Sequence, residues 1–312
     1  MKLFSTFAPM LALALVATAG HAETYALCVG VNDYADLKDA SGNPIKDEKG
    51  NPINHDLVGA VNDAETYRDL LNSKFGVKAA NIKVITDGQA NEQGFVTAIK
   101  WLLATAKAGD QVFFQFSGHG TQFDSKDEAD GKQEAIVLQD YTLVPGDIFN
   151  TVAKSLSAAG VNSTFLFDSC FSGGMSRDPM TYDGKAIKTN TKRALSFTKK
   201  EKGAIKIANS ATMSSITKAA VRPKQTTTGQ YLFLFAGQEG QPTSDLSFKD
   251  PTMKAHGLFT LVFGSLMENM PEAPMSEAIA AVAQFMKDKG FAQEPMMESS
   301  SADRAALPML LK

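Results

Sequence analysis

Cysteine is almost missing from this 312-residue chain: only Cys28 and Cys170 occur, with no CxxC pair and no finger-type spacing. That excludes a disulfide-stapled scaffold and a cysteine zinc site. A single Cys28–Cys170 bridge is the one option left. Cys28, in the middle of the apolar run "YALCVGV", reads instead as a small buried thiol. Tryptophan occurs once and histidine four times. No stretch reaches the roughly 18 apolar residues of a membrane span. Neither charge sign dominates: 31 Lys and Arg against 34 Asp and Glu give a net charge of −3 and a pI near 5.9. Such a chain carries no basic footprint for nucleic acid. The remaining composition is ordinary for a globular protein, 44% hydrophobic and 21% charged. Its length suits one large α/β domain or two small ones.

The first 22 residues read as a leader. Lys2 supplies the positive start, "FAPMLALALVA" the apolar run, and "GHA" (Gly20 to Ala22) a small-residue cleavage site. The expectation is an exported protein, periplasmic or secreted. Its domain starts at Glu23 and has no membrane contact after the leader is removed. A monomer is favoured.

From there, strand and helix patterns alternate. "TYALCVGV", "NIKVITD", "QVFFQF" and "STFLFD" are short continuous apolar runs. Between them lie "DLVGAVNDAETYRDLLNSKF", with Asp56 placed to cap it, "NEQGFVTAIKWLLATAKAGD" and "DIFNTVAKSLSAAG", all apolar at helical spacing. Strands apolar on both faces mean a mostly parallel sheet covered by helices on both sides. The pattern continues through "GAIKIANSA", "YLFLFAG", two helices and an extended "QEPMMESS". Two regions read as insertions. "DASGNPIKDEKGNPINHD" holds GNPI twice and suggests a small hairpin or ordered loop. A polar stretch, about 179–203, reads as an exposed, mobile connector between halves at about 23–178 and 204–312.

"FFQFSGHG" and "FLFDSCFSGG" each break from an apolar strand into small and polar residues, with His119 and Cys170 51 positions apart. Functional groups of an open parallel sheet collect at such carboxyl ends. His55, His119 and His256 with two cysteines allow six pairings, and only His119 with Cys170 puts both partners at strand ends among flexible neighbours. An imidazole beside a thiol raises its thiolate fraction and protonates a leaving amine. The amides of Gly120 and Cys170 are candidates for holding the oxyanion. On these residues alone a Cys–His nucleophile and an inert structural pair both stay open.

Taken together the motifs resemble the caspase-type cysteine peptidases, in which the histidine precedes the cysteine by about 50 residues. The resemblance is closer to the metacaspase branch. It rests on S-G-H-G and D-S-C-x-S-G, with "LCVGVNDY", "LVGAVNDA", "DGKQEAIVLQD" and "HGLFT" in order along the chain. It implies a caspase-like three-layer α/β/α sandwich and a cysteine endopeptidase, with Cys170 the nucleophile and His119 the general base and acid. Asp63, Ser117 and Asp168 match the positions lining the S1 pocket, so protein or peptide substrates would be cut after Arg or Lys. Carboxylates held close together repel, and a substrate cation relieves that.

The chemistry needs no cofactor. Some relatives of this kind bind calcium through clustered acids, and the groups available here are Glu134, Asp140 and Asp178, with glutamate where aspartate is the pattern. As an EF-hand the segment fails, because Lys126 and Val137 fall at the first and twelfth positions. The connector's Lys192, Arg193, Lys199, Lys200 and Lys202 make it a natural substrate of the chain itself. Two other readings are a caspase-like domain that binds peptide without cutting it and a clostripain-like cysteine peptidase.

Overall fold

The computed structural model describes residues 22–126, 131–170, 181–182, 185–198, 201–221, 223–238 and 241–311. The leader up to residue 21, Asp178, Lys199 and Lys200 lie outside the described residues. The first half runs β1 (Thr24–Gly30), α1 (Ala60–Ser73), β2 (Ile82–Thr86), α2 (Glu92–Thr105) and β3 (Gln111–Ser117). Then come β4 (Gly120–Asp124), β5 (Lys132–Val137), β6 (Thr142–Pro145), α3 (Asp147–Ala158) and β7 (Asn162–Asp168). Next follow β8 (Thr181–Tyr182), β9 (Lys185–Lys192), β10 (Lys206–Ile207), α4 (Ser210–Ala220), β11 (Tyr231–Phe235) and β12 (Ser244–Phe248). The chain closes with β13 (His256–Gly257), α5 (Leu258–Asn269), α6 (Met275–Asp288), β14 (Met296–Ser299) and α7 (Ala302–Ala305).

The central sheet has the order β14-β11-β7-β3-β1-β2. Every pairing in it is parallel except β14 on β11. Side chains of a strand alternate between faces, so a doubly covered strand must be apolar at both parities. In β3, Phe114 and Phe116 pack with Phe95 and Leu102 of α2 and Phe149 of α3, while Phe113 packs with Tyr67 of α1 and Phe259 of α5. All are buried, and each such phenyl contributes roughly 1.5–3 kcal/mol. The result is an α/β/α sandwich with a mostly parallel central sheet, as the caspase resemblance implied. Cys28 and Cys170 are both free and buried.

Three local expectations change. Asp56 does not cap α1: the helix starts at Ala60, and Asn32 Oδ1 accepts from the amides of Ala60 and Val61. Asp56 instead accepts from the Tyr34 amide. In "GAIKIANSA" only Lys206–Ile207 is extended, pairing with β6, and Asn209 then caps the helix α4. The connector is not an exposed coil where it is described. β9 pairs antiparallel with β12, and Arg193, Leu195 and Glu201 are buried. The doubled GNPI does form two successive tight turns, each closed by an aspartate (Asp39, Asp47) that accepts from two backbone amides.

Candidate active site

Parallel register puts Ser117 of β3 opposite Asp168 of β7. Two residues past each lie His119 and Cys170, so both arrive at one rim. The segments approach so closely that a side chain at Gly120 would overlap the Cys170 carbonyl. Only glycine permits this approach.

His119 is 2% exposed. Its amide donates to Tyr34 Oη at 2.7 Å, and the tyrosine ring lies 4.9 Å from the imidazole. Nε2 is 2.6 Å from the His55 carbonyl. A carbonyl only accepts, so Nε2 carries the proton and Nδ1 is left as the basic nitrogen. Nδ1 is buried without a partner among the described residues. Burial pushes the imidazole down to about 4, against the opposite pull of the His55 carbonyl. The ring is therefore neutral near pH 7.

Cys170 Sγ faces Thr243, with Oγ1 at 3.0 Å and the Thr243 amide donating to the sulfur. Burial raises the thiol above its ordinary range, and the hydrogen bonds from Thr243 only partly offset it. In this state the sulfur is a neutral thiol.

Beside the pair sits a pocket already filled by the chain's own Arg193, whose side chain is fully buried. Nη2 is 2.7 Å from Asp63 Oδ2 and 2.7 Å from Asp245 Oδ1, and Nη1 is 3.1 Å from Asp168 Oδ1. Nη1 also donates to the Asp168 carbonyl at 2.8 Å. Each acid is fixed from behind. Asp63 accepts from the Gly257 amide and faces His256 Nδ1 at 2.9 Å. Asp168 accepts from the Thr260 amide and hydroxyl, and Asp245 accepts from the amides of Val58 and Gly59. Three carboxylates face one guanidinium. Burial pushes Asp168 up to about 6; the Arg193 charge opposes this and the Asp63 charge adds to it. A side chain at Gly257 would run into Arg193 and Asp168, so glycine there is what makes the pocket deep enough.

The Arg193 backbone is held too. Its amide donates to the Thr243 carbonyl at 3.3 Å, and its carbonyl accepts from the Gly120 amide at 2.8 Å. Arg193 is thus held at both ends, its guanidinium among three acids and its carbonyl on the Gly120 amide.

Ser117 is buried at the same rim, but its hydroxyl accepts from Gln115 Nε2 and makes no bond to the guanidinium. Glu134 accepts from Gln122 Nε2, and Asp140 from the amides of Glu92 and Thr142. No group of three or more His, Cys, Asp or Glu side chains able to hold a metal occurs among the described residues. Glu134 and Asp140 are thus each engaged by protein donors, and Asp178 lies outside the described residues. Sequence reading missed Asp245, Thr243 and His256. Asp245 lies in "TSDLSF", which carries no signature, whereas His256 lies in "HGLFT". A cavity of about 310 Å3 lined by Phe149, Phe167 and Phe235 is not this site. Phe167 points to the sheet face opposite that of Asp168.

Residues 25–179 match the family described as metacaspase, peptidase C14 domain. Metacaspase-1 of Schizosaccharomyces pombe is 33% identical over 145 residues, covering 43% of this chain and 34% of that protein. Metacaspase-1 of Mycosarcoma maydis is 26% identical over 274 residues, covering 79% and 67%. The chain thus spans from about a third to two thirds of these relatives' length. A crystal structure of a Geobacter sulfurreducens protein shares the fold, with a TM-score of 0.59 and 21% identity over 92% of this chain and 97% of that one. Through residues 25–179 the chain is metacaspase-like, matching a peptidase C14 domain.

Proposed function

We propose that the protein is a cysteine endopeptidase that cuts after basic residues, arginine above all, and that its first substrate is its own Arg193–Ala194 bond. The observation carrying this reading is the seat of Arg193: guanidinium among Asp63, Asp168 and Asp245, carbonyl on the Gly120 amide. A guanidinium offers two diverging nitrogens to three acids, whereas a lysine offers one point charge, so arginine fits better.

In the proposed reaction, Cys170 gives its proton to His119 Nδ1 and the thiolate attacks the Arg193 carbonyl carbon. The Gly120 amide stabilises the oxyanion. His119 returns the proton to the Ala194 nitrogen, which leaves as a new amino terminus. Water, deprotonated by His119, then frees the Arg193 carboxylate and restores the thiol. The burial of both His119 and Cys170 supports a latent state of the uncut chain.

The test incubates purified full-length chain and reads fragments by gel and amino-terminal sequencing. Two fragments are expected, the second beginning at Ala194, and an intact chain is expected for Cys170→Ala. Identical clipping of Cys170→Ala, or an uncut wild type, overturns self-cleavage. A peptide panel with Arg, Lys or Asp before a reporter amide then reads specificity. Release after Asp, or none at all, overturns the basic preference.

A further inference from the structure

The chain beyond Arg193 is held as firmly as the arginine. Gly120 uses both of its backbone groups: its amide donates to the Arg193 carbonyl, and its carbonyl accepts from the Leu195 amide at 2.9 Å. Ala194 bridges Gly120 in parallel sense. The Thr121 hydroxyl, itself 1% exposed, donates to the Leu195 carbonyl at 2.6 Å. This fixes an extended register in which alternate side chains turn inward. Leu195 is buried in the apolar cluster, Ser196 is exposed, and Phe197 turns back against the protein. Its ring meets His55 and Tyr141 edge-on, each at 6.2 Å.

The groups forming this groove do not belong to the connector. Gly120 and Thr121 open β4, His55 lies in the insertion before α1, and Tyr141 lies in the turn between β5 and β6. Tyr141 adopts φ 59, a left-handed conformation costly for an aromatic residue. The groove therefore remains after the 193–194 bond is cut. It also adjoins the chemistry, since the residue packed on Phe197, His55, supplies the carbonyl that holds His119 Nε2.

We infer that the protein reads its substrates on both sides of the cut bond: an extended segment with arginine before the cut, a large aliphatic residue second after it and an aromatic residue fourth after it. This inference rests on the proposed cleavage after basic residues and adds recognition of the leaving side. Residue types at those two positions then rank substrates that share the same arginine.

The experiment uses self-processed wild-type enzyme and internally quenched peptides. One carries Lys-Arg-Ala-Leu-Ser-Phe, one places aspartate at the leucine, and one places serine at the phenylalanine. A fourth substrate carries a reporter amide directly after arginine and has no leaving-side residues. Exchange of the leucine is expected to cost about tenfold in kcat/KM, the scale of one buried leucine. Exchange of the phenylalanine is expected to lower it in the same direction. If the reporter amide is released but the leucine exchange costs under about fivefold, leaving-side recognition is overturned and cleavage after arginine stands. If neither the reporter amide nor the full peptide is cut, the underlying peptidase reading fails and this inference with it.

Discussion

The carbonyl oxygen of Arg193 accepts a 2.8 Å hydrogen bond from the amide of Gly120, the residue following His119. One residue of the connector thus sets its charge in the acid pocket and its carbonyl on the amide beside His119. Three acids that would otherwise repel one another in a buried site are bound to a cation that the chain provides. Breaking such a buried pair leaves uncompensated charge and costs about 3–5 kcal/mol.

Arg193→Gln should therefore do two things. The chain stays uncut although Lys188, Lys202 and other lysines remain nearby, and its melting temperature falls because Asp63, Asp168 and Asp245 lose their partner. Arg193→Lys should restore part of the melting temperature and slow self-cleavage at least about tenfold. Gel densitometry over time and thermal melts check both.

Asp245 lies 2.7 Å from the guanidinium, and its other hydrogen bonds come from the amides of Val58 and Gly59. Asp245→Asn should raise KM for arginine peptides about 10- to 100-fold, the worth of one hydrogen bond to a charged group, with a smaller change in kcat. Steady-state kinetics on a reporter peptide separate the two. An equal fall in kcat with KM unchanged contradicts a role in recognition.

Gly257→Ala should close the pocket. The added methyl would sit about where the Arg193 guanidinium and the Asp168 carboxylate now meet. Self-cleavage and arginine-peptide release are expected to be lost together, while circular dichroism shows a folded chain.

Stability should depend on His119 between pH 6.5 and 4. Its folded value lies near 4 against an ordinary 6.5, chiefly through burial. Over that window the unfolded chain takes up the proton and the folded chain resists it, so stability is full above pH 6.5 and falls as pH falls. The full drop corresponds to about 3 kcal/mol. Asp168 acts in the opposite sense. Its value is raised to about 6 from 3.8, again chiefly through burial, so acidification from 6 to 3.8 favours the folded chain. Comparing wild type with His119→Gln isolates the histidine. Denaturant melts at pH 7 and pH 4.5 should show a larger acid loss for wild type than for the variant.

The leucine and phenylalanine runs of the strands, apolar at both parities, were enough to call for a mostly parallel covered sheet, because strands buried on both faces are the mark of that arrangement. The same runs placed His119 and Cys170 at strand ends, since small and polar residues cannot continue a buried strand. The cap of α1 was not legible in this way. Asp56 stands close enough in sequence, but the amides are taken by Asn32, which arrives from the end of β1. Asn32 lies 28 and 29 positions from the amides it holds, and local pattern does not rank so distant a partner against a near one.

Asp245 and Arg193 mark the same boundary more sharply. Composition and spacing made the connector a stretch of exposed lysines and arginines, because a basic side chain is seldom buried unless it is paired. Those acids come from α1, β7 and β12, far apart in the chain, and only the folded sheet collects them. The sequence by itself determined the layers, the sheet and the rim that carries the thiol and the imidazole, since these follow from side-chain periodicity over a few residues. Tertiary structure alone decided which cation fills the acid pocket and which carbonyl meets the Gly120 amide, because both depend on groups brought together from distant parts of the chain.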